Sequence, residues 1–549
     1  MTGRIPRRRG GRSVTALRDT VPIAALALLL VTALAFADAE SVGLSTVGAI
    51  YLPDPAIGAT GVQADDAFGH AFATGDFDGD GREDLAVGVP GDSGPIGAPV
   101  PGSGSVIVFF GHATGLLAGS TPRLLSQTGS GFEPFDSHGY ALAACDFDGD
   151  GFDDLAVGAP GESVGATSAA GAVFTYSGRP GGPVTSGAGL YTQDTIGIPD
   201  GAEVEDRFGG ALACGDFDAD GFADLAIGAP GEALNGAAKA GWAVAIPGSA
   251  TGLAPAASQA FDQLGTGLPG EPDGFDQFAY ALAAGDLDGD GFDDLAIGVP
   301  GEAIAAGIAH VVFGGPAGLV AAGSMLLTDG ALGGDPDLAD RFALALAFGD
   351  FDDDGFDDLV IGIPFDTFDA PTGVVDAAGQ VVVVYGGPTI PTPGHVSHFA
   401  EDMILDPPAS ETGDRFGQAL ATGDFDGDGF DDLAIGHPGE NPSAVPEHFD
   451  HGATTVIAGN AGGLGGGVRR FAPVAEGLPG QPPQTSRGGF GSALVAGDFD
   501  GDGFDDLASG LPLEVVSGID AAGAAIVLPG AAFADGFESA NADYWTPAP

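Results

Sequence analysis

Basic residues are scarce: the 549-residue chain has 16 Lys and Arg against 77 Asp and Glu. So acidic a surface repels phosphate backbones and excludes a nucleic-acid partner. Cysteine is scarcer still, with only Cys145 and Cys214. The two fit no metal-ligand spacing and leave at most one bridge. They stand at different offsets, one and two residues before their Asp-rich loops, and read as two small buried residues rather than a pair. Beyond residue 36 no apolar run is long enough to cross a bilayer. Nucleophile elbows, zinc-protease motifs and phosphate loops are missing, so no enzyme class is indicated. The nine histidines are scattered; His448 and His451, in Glu447-His448-Phe449-Asp450-His451, come nearest to a ligand pair and read as part of a solvated loop.

The N-terminus is the exception to the acidic rule. Arg4, Arg7, Arg8, Arg9, Arg12 and Arg18 precede an apolar run from Val21 to Phe36 that ends in Ala35-Phe36-Ala37. This is the pattern of an export signal over residues 1–37, cleaved before Asp38. The run is shorter than the ~20 residues of a membrane span. A retained anchor and twin-arginine export are the alternatives. Cleavage removes six of the basic residues and one acid, leaving 10 basic and 76 acidic residues and a formal charge of −66. The mature protein is expected to be secreted or at the cell surface.

Glycine (98) and proline (40) are abundant, as many turns and short strands require. The chain also repeats. A block typified by D-R-F-G-x-A-L-A-x-G-D-F-D-G-D-G-F-D-D-L-A-I-G-x-P-G-E recurs with its first loop Asp at Asp76, Asp146, Asp216, Asp286, Asp350, Asp424 and Asp498, at spacings of 70, 70, 70, 64, 74 and 74. Each copy reads as a short alternating strand, an Asp-rich loop and a short apolar strand such as Leu225-Ala226-Ile227-Gly228. A third strand follows, as in Val106–Phe110, Ala172–Tyr176 and Val381–Tyr385, and the less regular sequence behind it can hold a fourth. Seven copies predict an all-β fold, a seven-bladed β-propeller of four-stranded antiparallel blades with metal-binding loops. The nonapeptide calcium β-roll is excluded because its repeats are far shorter. The seventh copy ends soon after its third strand, near Ala524–Leu528, whereas Val42–Leu52 belongs to no repeat and is expected to complete blade seven. The domain reading is therefore signal 1–37, closing segment 38–60, seven repeats over 61–530 and a tail over 531–549. The tail, from Phe533 to Trp545, mixes aromatics and acids, and the sequence leaves its role open.

In every copy, positions 1, 3, 5 and 9 of a nine-residue loop are acidic. They are Asp76, Asp78, Asp80 and Asp84; Asp146, Asp148, Asp150 and Asp154; Asp216, Asp218, Asp220 and Asp224; Asp286, Asp288, Asp290 and Asp294; Asp350, Asp352, Asp354 and Asp358; Asp424, Asp426, Asp428 and Asp432; and Asp498, Asp500, Asp502 and Asp506. Alternate residues of a tight loop point one way, and a Gly such as Gly81 permits the turn that returns position 9 to the same centre. All-oxygen, carboxylate-rich sites select hard cations, here calcium, about seven ions. An EF-hand is excluded because position 12, where it needs Glu, is Val87, Val157, Ile227, Ile297, Ile361, Ile435 or Ser509.

Phe68-Gly69, Phe208-Gly209, Phe416-Gly417 and Phe490-Gly491, with Gly158-Ala159-Pro160 and Gly228-Ala229-Pro230 downstream, resemble the FG-GAP repeat of integrin α-chain propellers. Copies two, four and five depart from it, with His138-Gly139, Phe278-Ala279 and Phe342-Ala343. The resemblance covers roughly residues 60 to 530. It implies structural calcium on one face of the disc and ligands bound at the opposite face by loops between strands two and three and between blades. It also implies an extracellular binding or adhesion module acting on a protein or glycan ligand, without catalysis. No domain or transmembrane helix follows the repeats, so a monomeric propeller without a β-subunit partner is expected. The alternative is the propeller of a hydrolase-like protein, since such repeats also accompany a glycosylphosphatidylinositol-specific phospholipase D.

Two further carboxylate series share the period. One, Asp92, Glu162, Glu232, Glu302, Asp366, Glu440 and Glu514, follows each first loop Asp by 16 residues. The other, Asp66, Asp136, Asp206, Asp276, Asp340 and Asp414, precedes it by ten, with Gly488 in the seventh copy. They either accept backbone N–H groups and shape loops or form an acidic rim for basic or cation-bridged partners.

Overall fold

In a computed structural model, each Asp-rich loop is the turn between the first two strands of a four-stranded antiparallel sheet. The structure describes residues 44–531 apart from 47–48, 54–62, 94–99, 117–120, 128–132, 335–336, 338, 371–372, 389–394, 405–410, 442–450, 474–487 and 517–518. The proposed signal and the tail from 532 lie outside the described residues. Blade one runs Phe72–Gly75, Asp84–Val89, Ser105–Phe109 and Arg123–Leu125, and five more blades repeat that order. Blade five adds a small hairpin, Phe368–Ala370 with Gly373–Val375. Blade seven is assembled from both ends of the chain: Leu494–Gly497, Asp506–Leu511 and Ala524–Leu528 are joined by the N-terminal strand Ile50–Pro53. That strand pairs antiparallel with the third, from Ile50 opposite Val527 to Pro53 opposite Ala524. Of the described residues in the segment expected to close the ring, Val42–Leu52, Ile50–Leu52 enter a strand.

The second strand of every blade is buried along its whole length. This explains its unbroken apolar run: both its faces are covered, so alternation would put polar groups into the core. The covering comes from the neighbouring blades. Ala73, Ala86, Val106 and Val108 of blade one pack with Leu155, Val157, Ala172 and Phe174 of blade two. Equivalent cores fill the other six junctions, including that between blades seven and one. The first strands adjoin one another in order, and that of blade seven adjoins that of blade one.

The Phe-Gly dipeptide fastens each junction. Phe68, Phe208, Phe278, Phe342, Phe416 and Phe490 are fully buried. Their backbone N–H groups donate to the preceding blade just before its third strand, as from Phe208 to Ala170 (2.9 Å) and Phe416 to Ala378 (2.8 Å), and from Phe68 to Ala522 (3.1 Å) across the closure. The following residue needs a left-handed backbone: Gly69 has φ +82°, and a Cβ there would lie 2.6 Å from the Ala524 carbonyl oxygen. Ala279 and Ala343 hold the same turn at φ +60° and +63°, at a cost of about 1–2 kcal/mol each. His138 replaces Phe in blade two and remains buried, its Nε2 2.7 Å from the Tyr176 hydroxyl.

The cysteine expectation is overturned. Cys145 ends the first strand of blade two, Leu142–Cys145, and Cys214 lies in the first strand of blade three, Ala211–Gly215. These strands are neighbours, the Cα atoms are 6.5 Å apart, and the two residues form a disulfide. Their unequal offsets do not oppose pairing, because the bridge crosses between two blades instead of linking equivalent positions within one sheet.

Closure generates a test. Deletion through Pro53 leaves the backbone edge of Ala524–Leu528 unpaired, an invitation to intermolecular strand pairing. The truncated protein is expected to form larger assemblies in size-exclusion chromatography with light scattering and to melt several degrees lower. An unchanged hydrodynamic size and melting temperature would contradict this account of closure.

Candidate metal centres

The carboxylate at position 1 organises its own loop. In blade one the Asp76 Oδ1 accepts the Gly79 and Asp80 N–H groups at 2.8 and 3.0 Å, and its Oδ2 accepts Gly81 N–H at 2.9 Å. Asp286 and Asp424 do the same in their blades. Position 9 is held from behind: Asp84 Oδ1 accepts the Gly111 N–H at 2.8 Å, at the end of the third strand. Asp154, Asp224, Asp294, Asp358, Asp432 and Asp506 repeat that bond. Asp76, Asp78 and Asp84 thereby offer ligand atoms all within 4.8 Å of one another, as do Asp146, Asp148 and Asp150, and Asp216, Asp218 and Asp220. In blade one position 5 turns outward, and Asp80 pairs with Arg82 at 3.2 Å.

Several of these oxygens are buried without a hydrogen-bond partner: Asp78 Oδ1, Asp84 Oδ2, Asp288 Oδ1 and Asp352 Oδ1. Burial, with the neighbouring loop carboxylates adding to it, pushes Asp84 and Asp358 up to about 8, Asp432 to about 9, and Asp154, Asp224, Asp294 and Asp506 to about 7. Buried acceptors that lack donors and carboxyls that resist ionisation are what a hard cation relieves, and the residues present fit one.

Position 8, which the loop pattern leaves outside the ligand set, ties the loops into a circle. Its backbone N–H donates to the carbonyl of position 1 in the preceding blade at all seven junctions: Glu83 to Asp498, Asp153 to Asp76, Ala223 to Asp146, Asp293 to Asp216, Asp357 to Asp286, Asp431 to Asp350 and Asp505 to Asp424, at 3.0–3.3 Å. In five junctions its side chain also accepts the N–H of that same residue, as Asp153 Oδ2 does from Asp76 at 2.8 Å. Position 7 joins in. Gly149, at φ +69°, leaves the space that the Phe222 ring of the next blade occupies. The available signal was the acid at position 8 in six of seven repeats.

At the other end of the second strands, the acidic-rim reading fails. Asp92, Glu162, Glu232, Asp366, Glu440 and Glu514 are buried and Glu302 is half-buried. Glu162, Glu232 and Glu302 accept amide N–H from Gln127, Gln193 and Gln263 at 2.9, 2.7 and 3.0 Å. The upstream series caps loops as the plainer reading expected: Asp136 Oδ2 accepts Glu133 N–H at 2.8 Å, and Asp206 and Asp414 take Glu203 and Glu411 N–H in the same way. These acids are scaffolding because each closes a turn from beneath.

That scaffold holds an unusual backbone in place. The residues on either side of each buried upstream Asp have positive φ: Asp65 and Ala67, Phe135 and Ser137, Glu205 and Arg207, Phe275 and Gln277, Ala339 and Arg341, and Gly413 and Arg415. The positive φ recurs while the displayed side chain varies among the blades, though Phe recurs before the Asp in two of them and Arg after it in three. Phe135 is 71 % and Phe275 65 % exposed. Around blades two to four these loops border a cavity of about 390 Å³ whose lining includes Phe135, Tyr140, Tyr280, Gln277, Arg207 and Lys239.

The buried acids make stability depend on pH. Burial, with Asp206 and Asp200 nearby, raises Glu232 to about 7. A carboxyl raised on folding stabilises the fold below its unfolded value near 4.5 and loses that contribution as pH rises through about 7. E232Q removes the titration, and a flip of the Gln193 amide, whose Oε1 has no partner, supplies the acceptor the new amide needs. In saturating calcium, E232Q is therefore expected to gain about 2–3 kcal/mol relative to wild type between pH 5 and pH 8 in denaturant unfolding. A constant difference across that range would contradict the assignment.

The sequence matches the FG-GAP repeat family at residues 68–109, 138–176, 208–241, 278–320, 342–384, 416–457 and 490–528, just over half of the chain. It is 34 % identical to Integrin alpha-PS2 of Drosophila melanogaster over 245 residues, 43 % of this chain and 15 % of that protein. Integrin alpha-5 of Xenopus laevis is 32 % identical over 243 residues, 43 % of this chain and 20 % of its own. Phosphatidylinositol-glycan-specific phospholipase D of Rattus norvegicus is 35 % identical over 164 residues, 30 % of this chain and 18 % of its own. The chain thus spans a fifth or less of the length of these relatives. It belongs to the FG-GAP repeat family, and its seven repeats build an integrin-α-like β-propeller.

Proposed function

We propose that this protein is a secreted or cell-surface calcium-binding propeller that acts as a binding or adhesion module, with calcium at the loop face and its ligand at the opposite face. The calcium reading is carried by the buried, partnerless carboxylate oxygens Asp78 Oδ1, Asp84 Oδ2, Asp288 Oδ1 and Asp352 Oδ1 within a carboxylate set that recurs seven times. Oxygen-only ligation favours calcium over softer metals. The binding reading rests on the opposite face, where a recurrent, strained backbone displays side chains that vary among the blades, from Phe135 and Phe275 to Glu205 and Ala339. A cavity with aromatic rings and two of the chain's few cations, Arg207 and Lys239, suits a protein or glycan ligand. The likeness to the phospholipase D supports a second reading, the propeller of a hydrolase-like protein. Release of a glycosylphosphatidylinositol-anchored substrate by the purified chain would establish it.

Calorimetric titration is expected to find about seven calcium ions, with affinities on the order of 10⁻⁴ to 10⁻³ M, and chelation to lower the melting temperature. Asp286→Ala with Asp290→Ala is expected to remove one ion and destabilise blade four. Two sites or fewer in the wild type would refute the assignment.

For the opposite face, the measurement is retention of the calcium-loaded protein on immobilised glycans and extracellular-matrix proteins. Phe135→Ala with Tyr280→Ala is expected to reduce retention at least about tenfold and to leave calcium stoichiometry intact. Equal retention by wild type and variant would place the ligand surface elsewhere.

A further inference from the structure

At one blade junction, among the described residues, a buried histidine joins two buried glutamates and an arginine. His437 ends the second strand of blade six, Asp432–His437, where the other blades have Val89, Ala159, Ala229, Val299, Ile363 and Leu511. Glu401 stands two residues beyond the fourth strand of blade five, the place of Gln127, Gln193 and Gln263 after blades one to three and of Asp329 after blade four. There the glutamine donates to the downstream glutamate; here the same geometry sets Glu401 beside Glu440. Arg470 and Thr455 face each other across strands three and four, where blades one to three have Ile107–Leu124, Phe174–Leu190 and Val244–Ala260.

The result is a buried polar island. Exposure is 0 % for His437, 1 % for Glu401 and 2 % for Glu440. Arg470 Nη1 donates to Oε1 of Glu401 at 2.8 Å and of Glu440 at 3.1 Å. The second oxygens of both carboxylates, Glu401 Oε2 and Glu440 Oε2, have no hydrogen-bond partner, and neither does His437 Nδ1, which lies 3.9 Å from Glu401 Oε1. His437 Nε2 lies 3.0 Å from the Thr455 hydroxyl, a contact that, with Nε2 as donor, leaves the Nδ1 lone pair free. Buried Asp414 adds to the negative field at Glu440. Three carboxylates against one guanidinium leave an uncompensated charge of −2 when ionised, which a buried site cannot hold alone.

We propose that Glu401, His437 and Glu440 form a binding site for one transition-metal dication of the zinc class, separate from the Asp loops at the other end of the strand. Each residue can offer a ligand atom within 4.8 Å of the other two. A contraction of up to about 1.5 Å brings them to the separation set by tetrahedral metal–ligand distances of about 2.0–2.2 Å. One imidazole nitrogen with two carboxylates suits zinc better than calcium, which takes six to eight oxygens. A dication also cancels the excess charge, and Arg470 bonds one oxygen of each carboxylate and leaves the other oxygen of each for a metal.

The test uses the full chain saturated with calcium. Zinc retained after dialysis is counted by elemental mass spectrometry, and cobalt(II) is titrated as a probe whose visible spectrum reports coordination. One equivalent of zinc beyond the calcium is expected, with a cobalt spectrum that saturates at one equivalent. His437→Ala and Glu401→Gln install residues that other blades carry at these places, so both variants are expected to fold and keep their calcium. Each is expected to weaken cobalt binding at least about tenfold. Failure of the calcium-loaded wild type to retain zinc or cobalt, or undiminished binding by both variants, would overturn the proposal and leave a plain ion-pair network around Arg470. Because calcium is counted in the same samples, failure here is distinguishable from failure of the calcium assignment.

Discussion

No blade of this protein can cover its own two faces, and the rest of the structure follows from that. Each four-stranded sheet is apolar on both sides of its second strand, and the only surfaces available to it are those of its neighbours. The seven cores accordingly lie between blades. Blades one and seven would each keep a bare face if the circle stayed open, which makes the Ile50–Pro53 strand and the contact between the first strands of blades seven and one structural necessities.

The same constraint sets the division of labour between the two faces. At one, each Asp loop is clamped by position 8 of the next blade, so the geometry of a metal loop is determined partly by residues of another repeat. Buried carboxylates there crowd around centres that a cation can stabilise. At the other, buried acids accept local hydrogen bonds and hold left-handed turns whose outward side chains vary. Rigid scaffold and variable display are thus served by adjacent residues.

Much was legible because the repeat is its own control. A single Asp-rich loop is an ordinary acidic turn, but seven in register announce a propeller with seven candidate centres, and an unpaired strand at each end announces closure. Spacing alone left the downstream acids open between loop scaffolding and an acidic rim. The downstream acids repeat as faithfully as the loop acids, yet they are buried beneath loops instead of lining a rim. The role of position 8 was hidden because its partner is some seventy residues away in another blade. The Cys145–Cys214 bridge was missed because offsets within a repeat say nothing about register between blades.

By itself the sequence determined what is local or periodic: strand, loop and strand in each copy, the carboxylate set at positions 1, 3, 5 and 9, the Phe-Gly turns and the number of blades. These follow from backbone preferences and alternation, which act over a few residues. Only the tertiary structure decided which acids are buried, which hydrogen bonds cross from blade to blade, that the two cysteines meet, and that His437, Glu401 and Arg470 converge on one junction. The physical reason is that burial and pairing depend on the neighbouring sheet, and in a propeller that neighbour lies a whole repeat away along the chain.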